Sequence, residues 1–187
     1  MSSITNFAEE KEQIRWFVMR AYKCEQEAEE KLQGQNGLEY FIPKHYVLRV
    51  YHGVKSKRLV PVIPSLVFVH ASHKQITEFK KSYNSLQFIT SGRGTEQKCL
   101  VVPDKQMDDF RRVASLHEEE MIYLKPEEVH IEKGTRIRIH GGKLDNVEGV
   151  FMRIKGKRNR RLVVLLDGVV AVSAEVHPDM IEILSKK

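Results

Sequence analysis

Polar and apolar residues alternate with period two through Arg136-Ile137-Arg138-Ile139, which predicts a strand with one cationic and one apolar face. Lys133-Gly134 opens this segment, Gly141-Gly142 breaks it, and Glu148-Gly149 starts the next strand. Arg161 to Leu166, Val169 to Val172 and Met180 to Leu184 add three short β-rich runs at close spacing, so the region reads as a small β-barrel. The alternation at Arg136–Ile139 and the β-branched pairs Val163-Val164 and Val169-Val170 favour the barrel.

Upstream, Ile14 to Ala21 reads as a central strand, and Cys24, Ala28 and Leu32 at i, i+4 and i+8 give the next segment a narrow apolar helical face that Gly34 and Gly37 end. Tyr40–Ile42, Tyr46–Tyr51 and Arg58–Ile63 read as strands, the last two joined by the basic turn from His52 to Lys57. Leu66–Val69 is a further strand, Ile76, Phe79 and Tyr83 mark a short helix, and Leu86–Ile89 is a strand. Met107, Phe110, Val113 and Ala114 mark a second amphipathic helix starting just after Pro103-Asp104. Strands and helices interleave without a regular βαβ rhythm, so the fold class is α+β with an antiparallel sheet. The predicted division is a flexible leader at 1–13, a domain at 14–117, an acidic proline-containing linker at 118–128 and a second domain at 129–187.

Composition narrows the function classes. Of 187 residues 41% are hydrophobic, enough for two small cores. No apolar run approaches the ~20 residues of a membrane span and the N-terminus lacks a signal-peptide core, which predicts a cytoplasmic protein without membrane contact. Cys24 and Cys99 lack metal-ligand spacing and read as reduced thiols. Residues 1–117 carry 18 Lys+Arg against 13 Asp+Glu, 118–128 carry 1 against 5, and 129–187 carry 12 against 7. Two basic bodies therefore flank an acidic strap, a distribution suited to nucleic acid or an acidic protein surface.

The C-terminal pattern resembles a KOW module, found in ribosomal proteins and transcription elongation factors. Arg15-Trp16-Phe17-Val18-Met19-Arg20-Ala21-Tyr22 and Ile63-Pro64-Ser65-Leu66-Val67-Phe68-Val69 are similar to the RWYVV and FPGYVLV signatures of the NusG N-terminal (NGN) domain. The order of the segments agrees, and the chain resembles the NusG family from about Ile14 to Leu184. The leader before Trp16 and the departures at Ile63 and Ser65, where an aromatic and a glycine are usual, resemble a specialised paralog of the RfaH or UpxY type, the latter serving capsular polysaccharide operons. This resemblance implies an NGN domain with helices on a four-stranded antiparallel sheet, then a five-stranded SH3-like KOW barrel. It implies a transcription elongation or antitermination factor that binds RNA polymerase, closes its clamp and suppresses pausing, without cofactor or catalysis. An apolar pocket of Trp16, Phe17, Ile63 and Pro64, with Leu66 behind it, would receive the clamp helices of the largest polymerase subunit. The other reading of these five residues is that all are core.

The residues themselves argue against an enzyme. His45, His52, His70, His73, His117, His130, His140 and His177 are scattered, no H-E-x-x-H, C-x-x-C or G-x-S-x-G pattern occurs, and Gly92-Arg93-Gly94 lacks the continuation of a phosphate loop. The first helix carries Glu25, Glu27, Glu29 and Glu30 and would repel phosphate. Candidates for contact with non-template DNA, nascent RNA or a second polymerase surface are Lys55, Lys57 and Arg58 at the hairpin and Lys74, Lys80 and Lys81 on the helix marked by Ile76, Phe79 and Tyr83. Lys155, Lys157, Arg158, Arg160 and Arg161 predict a basic hairpin tip suited to RNA or a ribosomal protein. The Gly142–Asn146 segment replaces the glycine-proline-phenylalanine loop usual in the family. The rival function is a KOW-containing ribosomal or RNA-binding structural protein.

Overall fold

The computed structural model describes residues 12–22, 24–92, 97–116, 121–129, 134–166 and 168–185. The leader to residue 11, Arg93 and Gly94, His117, the acidic residues 118–120, His130 and Lys133 lie outside the described residues. The chain divides into two compact units, Met1–Pro103 and Asp104–Lys187.

In the first unit β1 (Ile14–Ala21) is the central strand. It pairs antiparallel with β5 (Leu66–Ser72) from Ile14↔Ser72 to Arg20↔Leu66. On its other side it pairs with β6 (Leu86–Phe88) and β9 (Val101–Val102), and β2 (Glu39–Phe41) lies outside β5. β9 makes the sheet five-stranded where four strands were implied, and β7 (Thr90–Ser91) pairs with β8 (Lys98–Cys99) as a separate short ribbon. Two helices cover one face. Phe17, Met19, Ala21, Val67 and Val69 pack against Ala28 and Leu32 of α1 (Glu25–Gln33) and Ile76 and Phe79 of α2 (His73–Ser82). Cys24 does not extend the apolar stripe of α1; its thiol accepts from Glu27 N at 3.3 Å and caps the helix. Ser72 and Gln75 form a reciprocal capping box on α2, with Ser72 N donating to Gln75 Oε1 at 2.8 Å and Gln75 N to Ser72 Oγ at 3.2 Å.

β3 (Lys44–Tyr51) and β4 (Val54–Pro61) form a separate two-stranded ribbon. Its turn is shorter than the sequence suggested. His52 and Gly53 both take positive φ, 47° and 78°, which matches the right-handed strand twist and lets β4 begin at Val54. Lys55 and Lys57 are therefore strand residues, not turn residues, in one strand with Arg58.

The second unit holds a six-stranded antiparallel sheet in the order β10 (Met121–Leu124), β14 (Val170–Ala174), β13 (Arg160–Leu166), β12 (Glu148–Arg153), β11 (Thr135–Ile139) and β15 (Ile181–Ser185). Five strands lie close to where the sequence places them. Two elements do not fit the predicted boundaries. Met121–Leu124, inside the predicted linker, pairs with β14 and buries Met121 and Leu124, because four apolar residues complete a sheet edge despite the surrounding acids. The helix α3 (Asp104–Ala114) groups with this unit and packs on β13 and β14, with Met107, Phe110 and Val113 buried. Phe110 lies 6.2 Å from the Tyr123 ring, and burial pushes the Tyr123 hydroxyl up to about 12. Polar bonds add to the packing: Arg112 donates to Lys143 O at 3.0 Å, Lys105 to Asn146 O at 2.9 Å, and Gln106 to Leu165 O.

Gly149 shows why the glycine of Glu148-Gly149 is needed there. A Cβ would sit 2.5 Å from Val163 O and 2.7 Å from a Leu162 methyl, so β13 approaches closer than any side chain permits. Gly149→Ala is expected to destabilise the folded chain by about 1–3 kcal/mol through this overlap with backbone. Urea denaturation followed by far-ultraviolet circular dichroism measures it. An unchanged midpoint would mean that β12 and β13 can move apart without cost.

Candidate functional site

The register of β1 on β5 decides which candidate residues meet. Side chains alternate, so Trp16 and Phe17 point to opposite faces. Phe17 belongs to the helix-covered core with Ile76 and Phe79 and lies edge-on to Phe88 at 5.4 Å. Trp16 stacks on His70, centroids 4.8 Å apart, and His70 in turn faces the Glu39 carboxylate at 3.4 Å. Trp16, Phe17 and Leu66 are all buried. Leu66 pairs with Arg20, four residues from Trp16 along β1, which is roughly 13 Å at the rise of a strand. The five residues grouped by the sequence therefore do not form one pocket. Phe17 is core, Trp16 lies toward the far end of β1, and Ile63 and Pro64 stand together beside Leu66.

This Ile63-Pro64 corner is a β-turn. Leu66 N donates to Ile63 O at 3.4 Å, Pro64 occupies the second position, and Ser65 takes φ 66° at the third. Ser65 O accepts from Ala21 N at 2.8 Å, and Ser65 N donates to the Glu25 carboxylate of α1. Ile63 is half-buried and Pro64 exposed, a small apolar projection on a fixed backbone. Glu25 is thus structural at this corner, and Glu29 bonds Lys44 Nζ at 2.7 Å. Glu25 and Glu29 of the acidic face of α1 are therefore engaged within the unit.

The predicted cations separate into groups with different surroundings. On α2, Lys74 lies 3.4 Å from Glu12, Lys81 lies 2.5 Å from Glu78, and Lys80 donates to Gln87 at 2.7 Å with its ammonium over the Phe88 ring at 4.9 Å. On the ribbon, Lys55, Lys57 and Arg58 are exposed, and Lys57 sits 4.3 Å over the Tyr46 ring. Lys155, Lys157 and Arg158 in the connection between β12 and β13, and Arg160 at the start of β13, are exposed. Arg161 is not part of that tip. It is 5% exposed, donates to Ser173 Oγ at 3.3 Å and pairs with Glu175 at 3.4 Å, because strand alternation turns it away from Arg160. Arg153, directly opposite Arg160, takes its place at the surface. The Met152-Arg153-Ile154 alternation carried that signal in the sequence.

No catalytic constellation emerges from the histidines that are described. His73 stacks on Phe88 at 4.7 Å, His140 bonds Glu182 at 2.8 Å and His177 faces Asp179 at 3.4 Å, each in a different place. Among the described residues no group of three or more His, Cys, Asp or Glu could hold a metal. Cys99 is half-buried, and burial pushes its thiol up, away from the reactive thiolate. No helix of the described residues is long and apolar enough to cross a membrane.

Comparison with known proteins agrees with the N-terminal architecture. The family model described as transcription termination factor nusG matches residues 14–111, running from β1 into α3. A solved structure of NusG from Thermotoga maritima, titled "Domain interaction in Thermotoga maritima NusG", is 21% identical. The alignment covers 92% of this chain and 98% of that one, with a TM-score of 0.46. No curated protein sequence matches the chain significantly.

Two outcomes follow from the local geometry. Ser65→Gly is expected to stabilise the fold by roughly 0.5–1 kcal/mol, since a left-handed backbone strains a residue bearing Cβ. A lowered melting temperature would show that the serine side chain contributes more than the strain costs. The second concerns Glu148, whose carboxyl is held below its ordinary value chiefly by the hydrogen bond from Arg138 Nη2 at 2.8 Å. A lowered folded-state value means that this stabilisation is complete above the ordinary value of 4.5 and is lost as pH falls through the lower folded value. The stability advantage over Glu148→Gln should therefore be largest near neutrality and shrink on acidification below 4.5. Urea midpoints of both proteins across that window test the sign.

Proposed function

We propose, because this chain belongs to the NusG family of non-enzymatic transcription factors, that it rides on RNA polymerase through the Ile63-Pro64 corner and holds the clamp closed. The corner supports this reading because it presents a half-buried isoleucine and an exposed proline on a turn tied to α1 through Glu25 and to β1 through Ala21. Such a projection suits the apolar surface of the clamp helices of the largest subunit. Leu66 acts beneath it as support, while Trp16 stacks on His70 further along β1 and Phe17 is core. Holding the clamp shut opposes the open, paused state, since a ligand favours whichever conformation it binds better. A tenfold decrease in pausing needs only ~1.4 kcal/mol of preference for the closed clamp.

Lys74 and Lys81 of α2 supply a second contact, toward the opposite jaw or the nearby DNA, with Lys80 held back on Phe88. A specialised role in antitermination, on an operon such as one for polysaccharide synthesis, is supported by Ile63 and Ser65 standing where an aromatic and a glycine are usual. The C-terminal unit contributes a separate basic surface of Arg153, Lys155, Lys157, Arg158 and Arg160. This cluster also favours the second reading, an RNA-binding or ribosomal structural protein whose partner is RNA or a ribosomal protein. Polymerase work places the protein in the cytoplasm.

Ile63→Asp separates the two readings. A carboxylate pressed unpaired against apolar clamp-helix surface costs at least about 2 kcal/mol, roughly a 30-fold loss of polymerase affinity. The substitution sits on a partly solvated turn, so the melting temperature should change little. Polymerase affinity measured by biolayer interferometry checks the outcome. Unchanged affinity in a folded variant would remove the corner from the polymerase interface.

A further inference from the structure

The β3–β4 ribbon is a polycation with no counter-charge of its own. Residues 44–61 contain Lys44, Arg49, Lys55, Lys57 and Arg58 and no Asp or Glu. Lys44 is committed to Glu29. The pairing register sorts the remaining four cations by chemistry. Val50↔Lys55, Leu48↔Lys57 and Tyr46↔Leu59 place both lysines on one face with the apolar row Tyr46, Leu48, Val50 and Leu59. Arg49↔Ser56, Val47↔Arg58 and Tyr51↔Val54 place both guanidiniums on the other face with Ser56 and Tyr51. Arg49 and Arg58 are diagonal neighbours, about 7–8 Å apart by sheet geometry. Both are exposed, and among the described residues neither meets a carboxylate. Tyr51 is 74% exposed, its ring braced edge-on by His52 at 4.2 Å.

We propose that the face carrying Arg49, Tyr51, Ser56 and Arg58 binds single-stranded nucleic acid, the guanidiniums holding successive phosphates and Tyr51 stacking a base. The inference rests on the reading of this ribbon as a nucleic-acid contact. It adds Arg49 and Tyr51, sets Lys55 and Lys57 aside, and names the ligand. The chemistry selects a single strand over a duplex on two counts. Exposed Tyr51 and Val54 gain contact only from unstacked bases, which a duplex withholds. The ribbon also contains no Asn or Gln, the side chains that read adenine edges in a major groove. Guanidinium suits phosphate better than ammonium because its planar fork bonds two oxygens at once. Lys57, already over the Tyr46 ring, is the less available cation.

The test uses the full chain and a fluorescein-labelled single-stranded oligonucleotide of mixed sequence, about a dozen residues long, followed by anisotropy over a range of salt. Arg49→Gln/Arg58→Gln and Lys55→Gln/Lys57→Gln remove equal charge from opposite faces of an exposed ribbon. Melting curves of both variants should overlay the parent. The arginine pair is expected to lose about tenfold or more in affinity and to reduce the slope of log affinity against log salt by about 1.4, two phosphate contacts on a single strand. The lysine pair should lose less than about threefold, and Tyr51→Ala roughly fivefold or more. Equal losses from the two pairs, tighter binding of the same sequence as a duplex, or displacement of the strand by an equally charged polyglutamate at equal concentration would each overturn the proposal. The Ile63→Asp variant should still bind the oligonucleotide, while the arginine pair should still bind polymerase. The two readings can therefore fail separately.

Discussion

The seven consecutive pairings of β1 with β5 are the constraint on which the first unit depends. β1 also carries β6 and β9, so it is a strand without a free edge and its register cannot slip without turning buried side chains to the wrong face. That register stacks Trp16 on His70 and puts Phe17 under the helices. It also places Ala21 where its amide reaches Ser65 O. The corner at Ile63-Pro64 is therefore a consequence of sheet pairing: the strand must reverse there, and a residue with positive φ lets it do so.

Alternation governs the charged surfaces as firmly as it governs the core. Arg160 and Arg161 are neighbours in sequence, yet one is exposed and the other buried against Ser173 and Glu175. On the ribbon the same rule separates Arg58 from Lys55 and Lys57 and joins it to Arg49. A cluster of cations in sequence is thus a poor guide to a cluster in space when the backbone is extended, because every second residue faces away. The basic tip kept its character only because Lys155, Lys157 and Arg158 lie in the connection between strands.

Much of the fold was legible because long periodic segments carry redundant signals. The stripe of Ala28 and Leu32, the Ile76 and Phe79 face of α2 and the alternating Arg136–Ile139 strand each had several residues agreeing. What escaped was short or set by partners distant in sequence. Met121–Leu124 is too brief to outweigh its acidic flanks until β14 lies beside it. The grouping of α3 with the second unit depends on Leu165, Lys143 and Asn146, far along the chain. Gly149 read only as the start of a strand, and its real constraint is Val163 O on the neighbouring strand. Of the candidate site, the Ile63-Pro64 corner could be read from proline and its neighbours. The distance separating it from Trp16 could not, since it requires the register.

In the proposed mode the corner and the ribbon of the first unit make contacts that differ in kind, and the difference suits a factor that travels. Apolar contact at Ile63-Pro64 depends little on ionic strength and fixes the protein on a partner that moves with it. Contacts from Arg49, Arg58 and Tyr51 go to phosphate and to the face of a base, features that every sequence offers, so they can be broken and remade as the strand passes. Each is weak alone. Once the corner is docked, the ribbon meets its strand at the high effective concentration of an intramolecular partner, and modest affinity is then sufficient. A ribbon that bound base edges tightly would instead hold the factor at one sequence. The absence of Asn and Gln between residues 44 and 61 therefore fits a sliding contact better than a recruiting one.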